Sequence, residues 1–181
     1  GINGQALTIR YEDVLEGPND IGSLVSLDGT VKILSILNQQ VIVEDGYTEL
    51  NGITYAGLDS FTGNLEISGF RHNDGRIQAT YIENRTSSPL EIKGTVTLVN
   101  SSTSFDIGSL NVLHDGTVTV VPGSLVEVKG SGYTASTLTA TTLSIETEGF
   151  SVANKDAAEI EGFISELSGS RLKVNGQVVT H

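Results

Sequence analysis

Segments in which apolar and polar residues alternate cover most of the chain, and they are rich in Thr, Val, Ile and Leu. The clearest examples span residues 94–99, 116–121, 125–129 and 137–146. Alternation with a period of two is typical of half-buried strands, because successive side chains point to opposite faces of a sheet. We therefore predict a strand in each of these segments.

Turn signals separate the alternating segments. Asp-Gly recurs at residues 28–29, 45–46, 74–75 and 115–116, and Asn-Gly recurs at 3–4, 51–52 and 175–176. Both dipeptides accept the positive φ angles that tight hairpin turns need. Residues 55–61 and 153–159 could each form a helical turn, but neither is long enough to build a helical layer. The sequence therefore predicts an all-β fold.

An internal repeat is the strongest pattern in the chain. Gly69 is followed by Ala79 and Gly130 by Ala140, with the same spacing of ten residues and an apolar residue two positions before each glycine. The repeat predicts two units, at residues 15–91 and 92–159, the latter including a linker. Residues 1–14 resemble the closing strand of a preceding unit, and residues 160–181 resemble the first two strands of a following one.

These incomplete terminal repeats suggest a way for the chain to assemble. Ala6, Leu7 and Ile9 lie in the segment that resembles a closing strand, and Val174 and Val178 lie in the segment that resembles opening strands. One copy could therefore complete its neighbour by strand addition, which would give head-to-tail assembly into a filament. The alternative is that the chain is a fragment of a longer repeat array.

The repeat resembles a family of exported bacterial domains of unknown function. The match is carried by residues 65–70, 74–83, 125–130 and 174–178, which follow the pattern apolar-x-Gly, Asp-Gly, Ala-Thr-x-Ile-Glu and Asn-Gly-Gln-Val. The second unit departs from the pattern where Ser136 replaces the turn glycine. The resemblance implies export and tandem small five-stranded OB-like β-barrels with partial repeats at both ends. It implies no catalytic residues.

Charge and composition limit the kinds of partner that the chain is expected to bind. The net charge of −12 repels phosphate backbones and anionic lipid headgroups, so we expect no nucleic-acid partner. No segment approaches the roughly 20 consecutive apolar residues of a membrane span. Cysteine is absent, which excludes disulfides and thiol chemistry and is compatible with an extracellular, cell-surface or periplasmic location.

The main cluster of basic residues lies at one predicted hairpin tip. Arg71, His72, Asp74 and Arg76 surround an Asn-Asp-Gly turn there, and two guanidinium groups beside an imidazole could bind an anion or a glycan. The alternative is a solvated turn, because Asn-Asp-Gly satisfies turn geometry unaided. The equivalent residues of the second unit, 132–137, carry no charge, so a binding site here would belong to the first unit alone.

The sequence signals for metal binding and for catalysis are weaker. Acidic loops at residues 16–20 and 44–46 offer oxygen ligands suited to calcium, but the sequence has no EF-hand series, and a metal site stays open. Catalytic and phosphate-binding motifs are absent, which favours a protein that is not an enzyme. We predict a structural or adhesive surface protein that self-associates or contacts neighbouring repeats. A glycan-binding or calcium-binding envelope module is the alternative.

Overall fold

The computed structural model describes residues 13–85 and 89–146, together with the backbone of residues 4–5, 164–168, 171–174 and 177–180. Strands dominate these residues, accompanied by two short 3-10 helices at Ile21–Ser23 and Ala56–Asp59, so the predicted all-β class is confirmed. The strands are β1 (Gly4–Gln5), β2 (Asp13–Pro18), β3 (Val25–Leu27), β4 (Val31–Ile36), β5 (Gln39–Glu44), β6 (Glu49–Asn51), β7 (Asn64–Arg71), β8 (Ile77–Arg85), β9 (Leu90–Thr95), β10 (Leu98–Ser101), β11 (Ser104–Ile107), β12 (Leu110–Leu113), β13 (Leu125–Thr134), β14 (Thr137–Ile145), β15 (Ile164–Ser168), β16 (Arg171–Val174) and β17 (Gln177–Thr180).

The chain divides into two compact units. Asp13–Glu146 form the central unit, and Gly1–Glu12 group with Thr147–His181 in the terminal unit. We call residues 13–85 of the central unit its first half and residues 89–146 its second half.

One open sheet runs through the central unit. Its strand order is β10-β11-β12-β14-β13-β9-β2-β7-β8-β5-β4-β3, and β6 pairs with β8 beside this path. The pairs β5–β8 and β12–β14 are parallel, and every other neighbouring pair on the path is antiparallel. In the first half, Asn19, which directly follows β2, forms a single antiparallel bridge with Ile36 of β4 rather than a continuous ladder.

The core follows from the alternation seen in the sequence. In β4 and β5, every second side chain is buried, with Leu34, Ile36, Val41 and Val43 fully inaccessible to solvent. Phe105 is among the largest fully buried side chains of the second half. Burying one such aliphatic or aromatic side chain stabilises the fold by about 1.5–3 kcal/mol, so the sheet depends on these inward-facing residues.

The repeated glycines mark two equivalent irregularities of the sheet. The register of β7 with β8 shifts at Gly69, and the register of β13 with β14 shifts at Gly130. A Cβ atom on Gly69 would lie 2.1 Å from the carbonyl oxygen of Gln78, and one on Gly130 would lie 2.7 Å from that of Thr139. Only glycine allows the two backbones to approach this closely, which explains why the pattern carries it at both places.

Two of the predicted strands differ from the structure. Residues 94–99 are divided between β9 and β10, because Val96 and Thr97 lie outside both strands. Residues 116–121 form an irregular loop, although their sequence alternates as a strand does. The backbone N–H and the hydroxyl of Thr117 both donate to Oδ1 of Asp115, at 2.9 and 2.7 Å, and Gly116 has a φ of +79°. The chain therefore turns at this point, and alternation alone does not supply the neighbouring strand that a ladder needs.

Two hairpin turns are built without the expected glycine. Leu37 and Asn38 join β4 to β5 with φ values of 47° and 59°, and Ala135 and Ser136 join β13 to β14 with 50° and 63°. Conversely, Asp45-Gly46 follows β5 without forming a hairpin, because β5 and β6 both pair with β8 instead of with each other.

The terminal unit contains a four-stranded sheet in the order β1-β17-β16-β15. The described residues between 160 and 181 form three strands, whereas the sequence predicts two. Gly4 and Gln5 of β1 run parallel to β17, opposite Val179 and Thr180. Val174 lies in β16 and Val178 in β17, whereas Ala6, Leu7 and Ile9 lie outside the described residues.

Candidate functional site

The hairpin tip, residues 71–76, closes on itself through backbone hydrogen bonds. The N–H of His72 donates to the carbonyl of Arg76 at 2.7 Å, and the N–H of Gly75 donates to the carbonyl of His72 at 2.9 Å. Gly75 has a φ of +89°, a conformation that glycine adopts at little cost. The turn is therefore formed without any ligand.

Two of the predicted site residues pair with each other. The guanidinium of Arg76 lies 2.7 Å from Oδ2 of Asp74. The hydrogen bonds that Asp74 accepts from the side chain and backbone of Arg76 lower the pKa of its carboxyl, and the same side-chain bond raises the pKa of Arg76. Their charges largely offset each other at the exposed end of the tip. His72 is also exposed, and its ring lies 5.4 Å from that of Phe70.

Arg71 has different partners from Arg76. Its Nη1 donates to Oε1 of Gln39 at 2.9 Å and to the carbonyl of Gly75 at 2.7 Å, while Nη2 lies 3.4 Å from the carbonyl of Lys93. Burial lowers the pKa of Arg71 to about 10, which leaves it charged at neutral pH. The structure brings Asp74 and Arg76 together, but it directs Arg71 to the boundary between the two halves.

Gln39 extends this boundary, which we call the seam. The residue is 4% exposed, and its Nε2 donates to the carbonyl of Ile107 at 3.0 Å. The neighbouring Asn38 donates to the carbonyl of Ser109. The first half thus reaches the second through side-chain amides and a guanidinium that bind backbone carbonyls. The sequence gives one signal for this role, a polar residue at the inward-facing first position of β5.

A short ladder completes the seam. β2 and β9 are antiparallel neighbours, with Leu15 opposite Ile92 and Glu16 opposite Glu91. Leu15 and Ile92 are fully buried. The seam therefore combines one apolar pair, one pair of carboxylates and the polar contacts of Arg71, Gln39 and Asn38.

The two carboxylates belong to a longer row that crosses the sheet. Glu83 lies opposite Glu66, Glu66 opposite Glu16, and Glu16 opposite Glu91, on four successive strands. We call these four residues the carboxylate row. Directly opposed like charges destabilise a sheet, so this row needs compensating cations.

Arg85 and Lys129 provide that compensation at opposite ends of the row. Arg85 binds Glu66 with two nitrogens, at 2.7 and 3.1 Å, and lies 3.4 Å from Glu83. Its hydrogen bond with Glu66 is the main reason why its pKa is raised. Lys129 lies 3.1 Å from Glu91 and 3.0 Å from Glu127.

The pKa values of Glu91 and Glu127, the two carboxyls that bind Lys129, are shifted in opposite directions. Burial, followed by the hydrogen bond with Glu127, raises the pKa of Glu91, and Lys129 only partly opposes this. Burial also acts to raise the pKa of Glu127, but hydrogen bonds with Lys129 and Glu91 outweigh it and lower the pKa. Glu91 is therefore the member of this pair that takes up a proton first as the pH falls.

A separate buried cation fixes the loop that follows β6. Lys32 is 4% exposed, and its Nζ donates to the carbonyl of Tyr55 at 2.8 Å and pairs with Asp59. The same nitrogen lies 4.4 Å from the centre of the Tyr55 ring. This arrangement holds the 3-10 helix at Ala56–Asp59 against β4, which is a structural use of a buried lysine.

Metal and ligand chemistry at the acidic loops stays a prediction. Within residues 13–85 and 89–146, no group of three or more His, Asp or Glu side chains is arranged to hold a metal ion. The glycan predicted at the tip is likewise untested. Among the described residues, no helix is long and apolar enough to cross a membrane.

A family model described as a domain of unknown function, DUF5666, matches residues 84–144. The match begins at the end of β8 and covers nearly all of the second half. Over this stretch the chain is similar to a domain of unknown function, in agreement with the resemblance expected from the sequence. No curated protein and no solved structure matches the chain.

Proposed function

We propose that this chain is a structural or adhesive protein of the cell surface that assembles head-to-tail by exchanging strands between copies. The observation that carries the proposal is the parallel pairing of β1 with β17, in which Gly4 lies opposite Val179 and Gln5 opposite Thr180. The two strands lie far apart in the sequence. A pairing of this kind within one chain can also form between two chains, as in domain swapping.

The place of β1 in its sheet supports this proposal. In each half of the central unit, the third strand pairs in parallel with the last strand, as β5 pairs with β8 and β12 with β14. In the terminal unit, β17 is the third strand of β15–β17 and pairs in parallel with β1. β1 therefore takes the position of a closing strand. When β1 of one copy binds β17 of the next, each chain completes its neighbour.

We further propose that each half of the central unit is an OB-like unit of a tandem repeat. If β2 with β3, and β9 with β10, each count as a first strand, both halves have the order 1-2-3-5-4-1. Equivalent register shifts at Gly69 and Gly130 also support a common origin. Export, bacterial origin and the lack of enzymatic activity rest on the family resemblance and on the absence of catalytic motifs from the sequence.

Light scattering across a dilution series, with negative-stain microscopy of the concentrated protein, tests the assembly. We expect oligomers that grow with concentration and appear as regular fibres. Gln5→Pro removes a backbone N–H from β1 and should abolish the oligomers, whereas Gln5→Thr keeps that N–H and should preserve them. A monomer at every concentration would overturn the proposal.

A further inference from the structure

The strand order of the central unit reads the same from both ends. β3 and β10 lie at the two edges, followed inward by β4 and β11, β5 and β12, β8 and β14, and β7 and β13, until β2 meets β9 at the centre. Each pair occupies the same place in its own half. Such an order arises when two similar halves face each other across a two-fold axis.

Residues that contact each other at the seam also hold equivalent places. Leu15 and Ile92 each stand two residues before the glycine of the apolar-x-Gly motif, and they lie directly opposite each other in an antiparallel pair. Asn38 and Ser109 are each the second residue of the turn that joins the second strand of a half to its third, and the side chain of Asn38 binds the carbonyl of Ser109.

Contact between equivalent residues is the mark of an isologous interface, the type that joins the two subunits of a symmetric dimer. We infer that the seam is a self-complementary interaction surface that holds the two halves together through an approximate two-fold axis. Its partner is another unit of the same topology. The surface therefore binds the opposite half without help from residues 86–88, which connect the halves in sequence.

The two halves differ in their polar seam residues, and this difference explains why only the first half has a basic hairpin tip. Tyr133 stands at the ladder position of Arg71, since each lies opposite the residue two before the motif alanine, and Leu110 stands at the position of Gln39. Neither can supply a guanidinium or an amide. The first half therefore contributes polar contacts that the second half does not return. This accounts for a charged hairpin in one half and an uncharged one in the other.

The symmetry also limits how copies of the protein could assemble through the seam. An isologous contact is satisfied when two units have met, so it closes instead of extending into a chain. The seam therefore cannot propagate a filament. This inference does not depend on the pairing of β1 with β17, and it holds whether or not that pairing takes part in assembly.

The test separates the covalent link from the interface. A protease site is inserted at residues 86–88 of the full chain, which also carries Gln5→Pro to remove the pairing of β1 with β17. The folded protein is then cut and analysed by size-exclusion chromatography with light scattering during dilution. We expect the two pieces to migrate as a 1:1 complex. Pieces that separate at every concentration would overturn the inference.

A seam variant makes the result specific. Arg71→Met keeps the length of the apolar stem but removes the contact with the carbonyl of Lys93 across the seam and the hydrogen bonds to Gln39 and Gly75 within the first half. It should weaken the association of the cut pieces roughly tenfold to hundredfold. Arg76→Met changes an exposed arginine of the same hairpin and should leave association unchanged. Circular dichroism of the uncut variants establishes that they are folded. Equal affinities for the two variants would contradict the role assigned to Arg71.

The two proposals fail in different ways. If the cut chain stays together with Gln5 intact but separates with Gln5→Pro, the terminal pairing holds and the seam inference is wrong. If it stays together in both backgrounds and the uncut protein is always monomeric, the seam inference holds and the assembly proposal is wrong.

Discussion

Glu16 of β2 lies directly opposite Glu91 of β9, so one of the two residue pairs that join the halves places two carboxylates side by side. Glu66 lies on the other side of Glu16, while Lys129 binds Glu91. Directly opposed like charges disfavour a sheet, and Lys129 offsets part of the charge at Glu91. The stability of the seam should depend on whether Glu91 carries a proton, because burial raises the pKa of this carboxyl.

Glu91→Gln should stabilise the central unit at neutral pH. The folded-state pKa of Glu91 is raised, mainly by burial, so its charged form costs stability above that pKa, and the cost disappears as the pH falls through it. Glutamine resembles the protonated acid. The gain should be no more than about 1 kcal/mol, because the group is partly solvated and Lys129 loses a partner. Thermal melts between roughly pH 4 and pH 8 should show the variant's advantage shrinking toward the acid end, where carboxyls begin to take up protons.

Glu127→Gln should have the opposite effect. The pKa of Glu127 is lowered in the folded state by hydrogen bonds that outweigh burial, so its charge contributes stability above its unfolded pKa. That contribution is lost as the pH falls through the folded pKa. The variant should melt at a lower temperature than the parent near neutral pH and at a similar temperature in acid. Shifts of the same sign for the two variants would contradict this assignment.

Arg71→Met should destabilise the central unit by about 1–3 kcal/mol, because it leaves the buried Oε1 of Gln39 without this donor. Arg76→Met removes an exposed pair with Asp74 and should change stability little. Urea denaturation of the two variants measures the difference. A larger loss for Arg76→Met would show that the tip, and not the seam, is the part of this hairpin that matters for stability.

Gly69→Ala should be among the most damaging single-methyl changes in the chain. The added Cβ would lie 2.1 Å from the backbone oxygen of Gln78, so β7 and β8 would have to separate. We expect a loss of about 1–3 kcal/mol or more. Gly132→Ala adds the same methyl group to β13, where nothing lies within 4 Å. It should be neutral or stabilise by up to about 1 kcal/mol, since the unfolded chain loses freedom. Chemical denaturation compares the two, and equal effects would contradict the geometry of the Gly69 bulge.

Lys32→Met should release the loop after β6. The change keeps the buried stem but removes the hydrogen bond to the carbonyl of Tyr55 and the ion pair with Asp59. We expect a loss of about 1–3 kcal/mol and faster proteolysis within residues 52–63. Asp59→Asn keeps an oxygen acceptor for Lys32, so its effect should be smaller. Unchanged proteolysis in Lys32→Met would mean that other contacts fix this loop.

Much of the sheet could be predicted from the sequence because its strands alternate and its glycines recur. The 65–83 hairpin and the segments at 125–129 and 137–146 lie in β7, β8, β13 and β14. Residues 116–121 show the limit of this reasoning. Alternation indicates that a segment could bury one face, but the rest of the fold decides whether a neighbouring strand is there to pair with it.

The seam could not be predicted, because its contacts join residues far apart in sequence through backbone atoms. Gln39 binds the backbone carbonyl of Ile107, and Arg71 binds the backbone carbonyl of Lys93. Every residue type has such a carbonyl, so the sequence does not show which residue is the acceptor. The sequence marks the tip as a cluster of charge, but it does not distinguish Arg71, which contacts the seam, from Arg76, which pairs with Asp74. The turn at Leu37 and Asn38 carries no sequence signal of the Asp-Gly or Asn-Gly type, because neither residue is a glycine.

Cysteine trapping of β1 against β17 tests the proposed assembly most directly, because the chain has no cysteine of its own. Gly4→Cys and Val179→Cys place two thiols at paired positions, while Gly4→Cys with Lys173→Cys moves one of them to the neighbouring strand. After mild oxidation of the concentrated protein, non-reducing electrophoresis should show a ladder of disulfide-linked multimers for the first pair and none for the second. A single monomeric band for the first pair at every concentration would contradict strand exchange between copies.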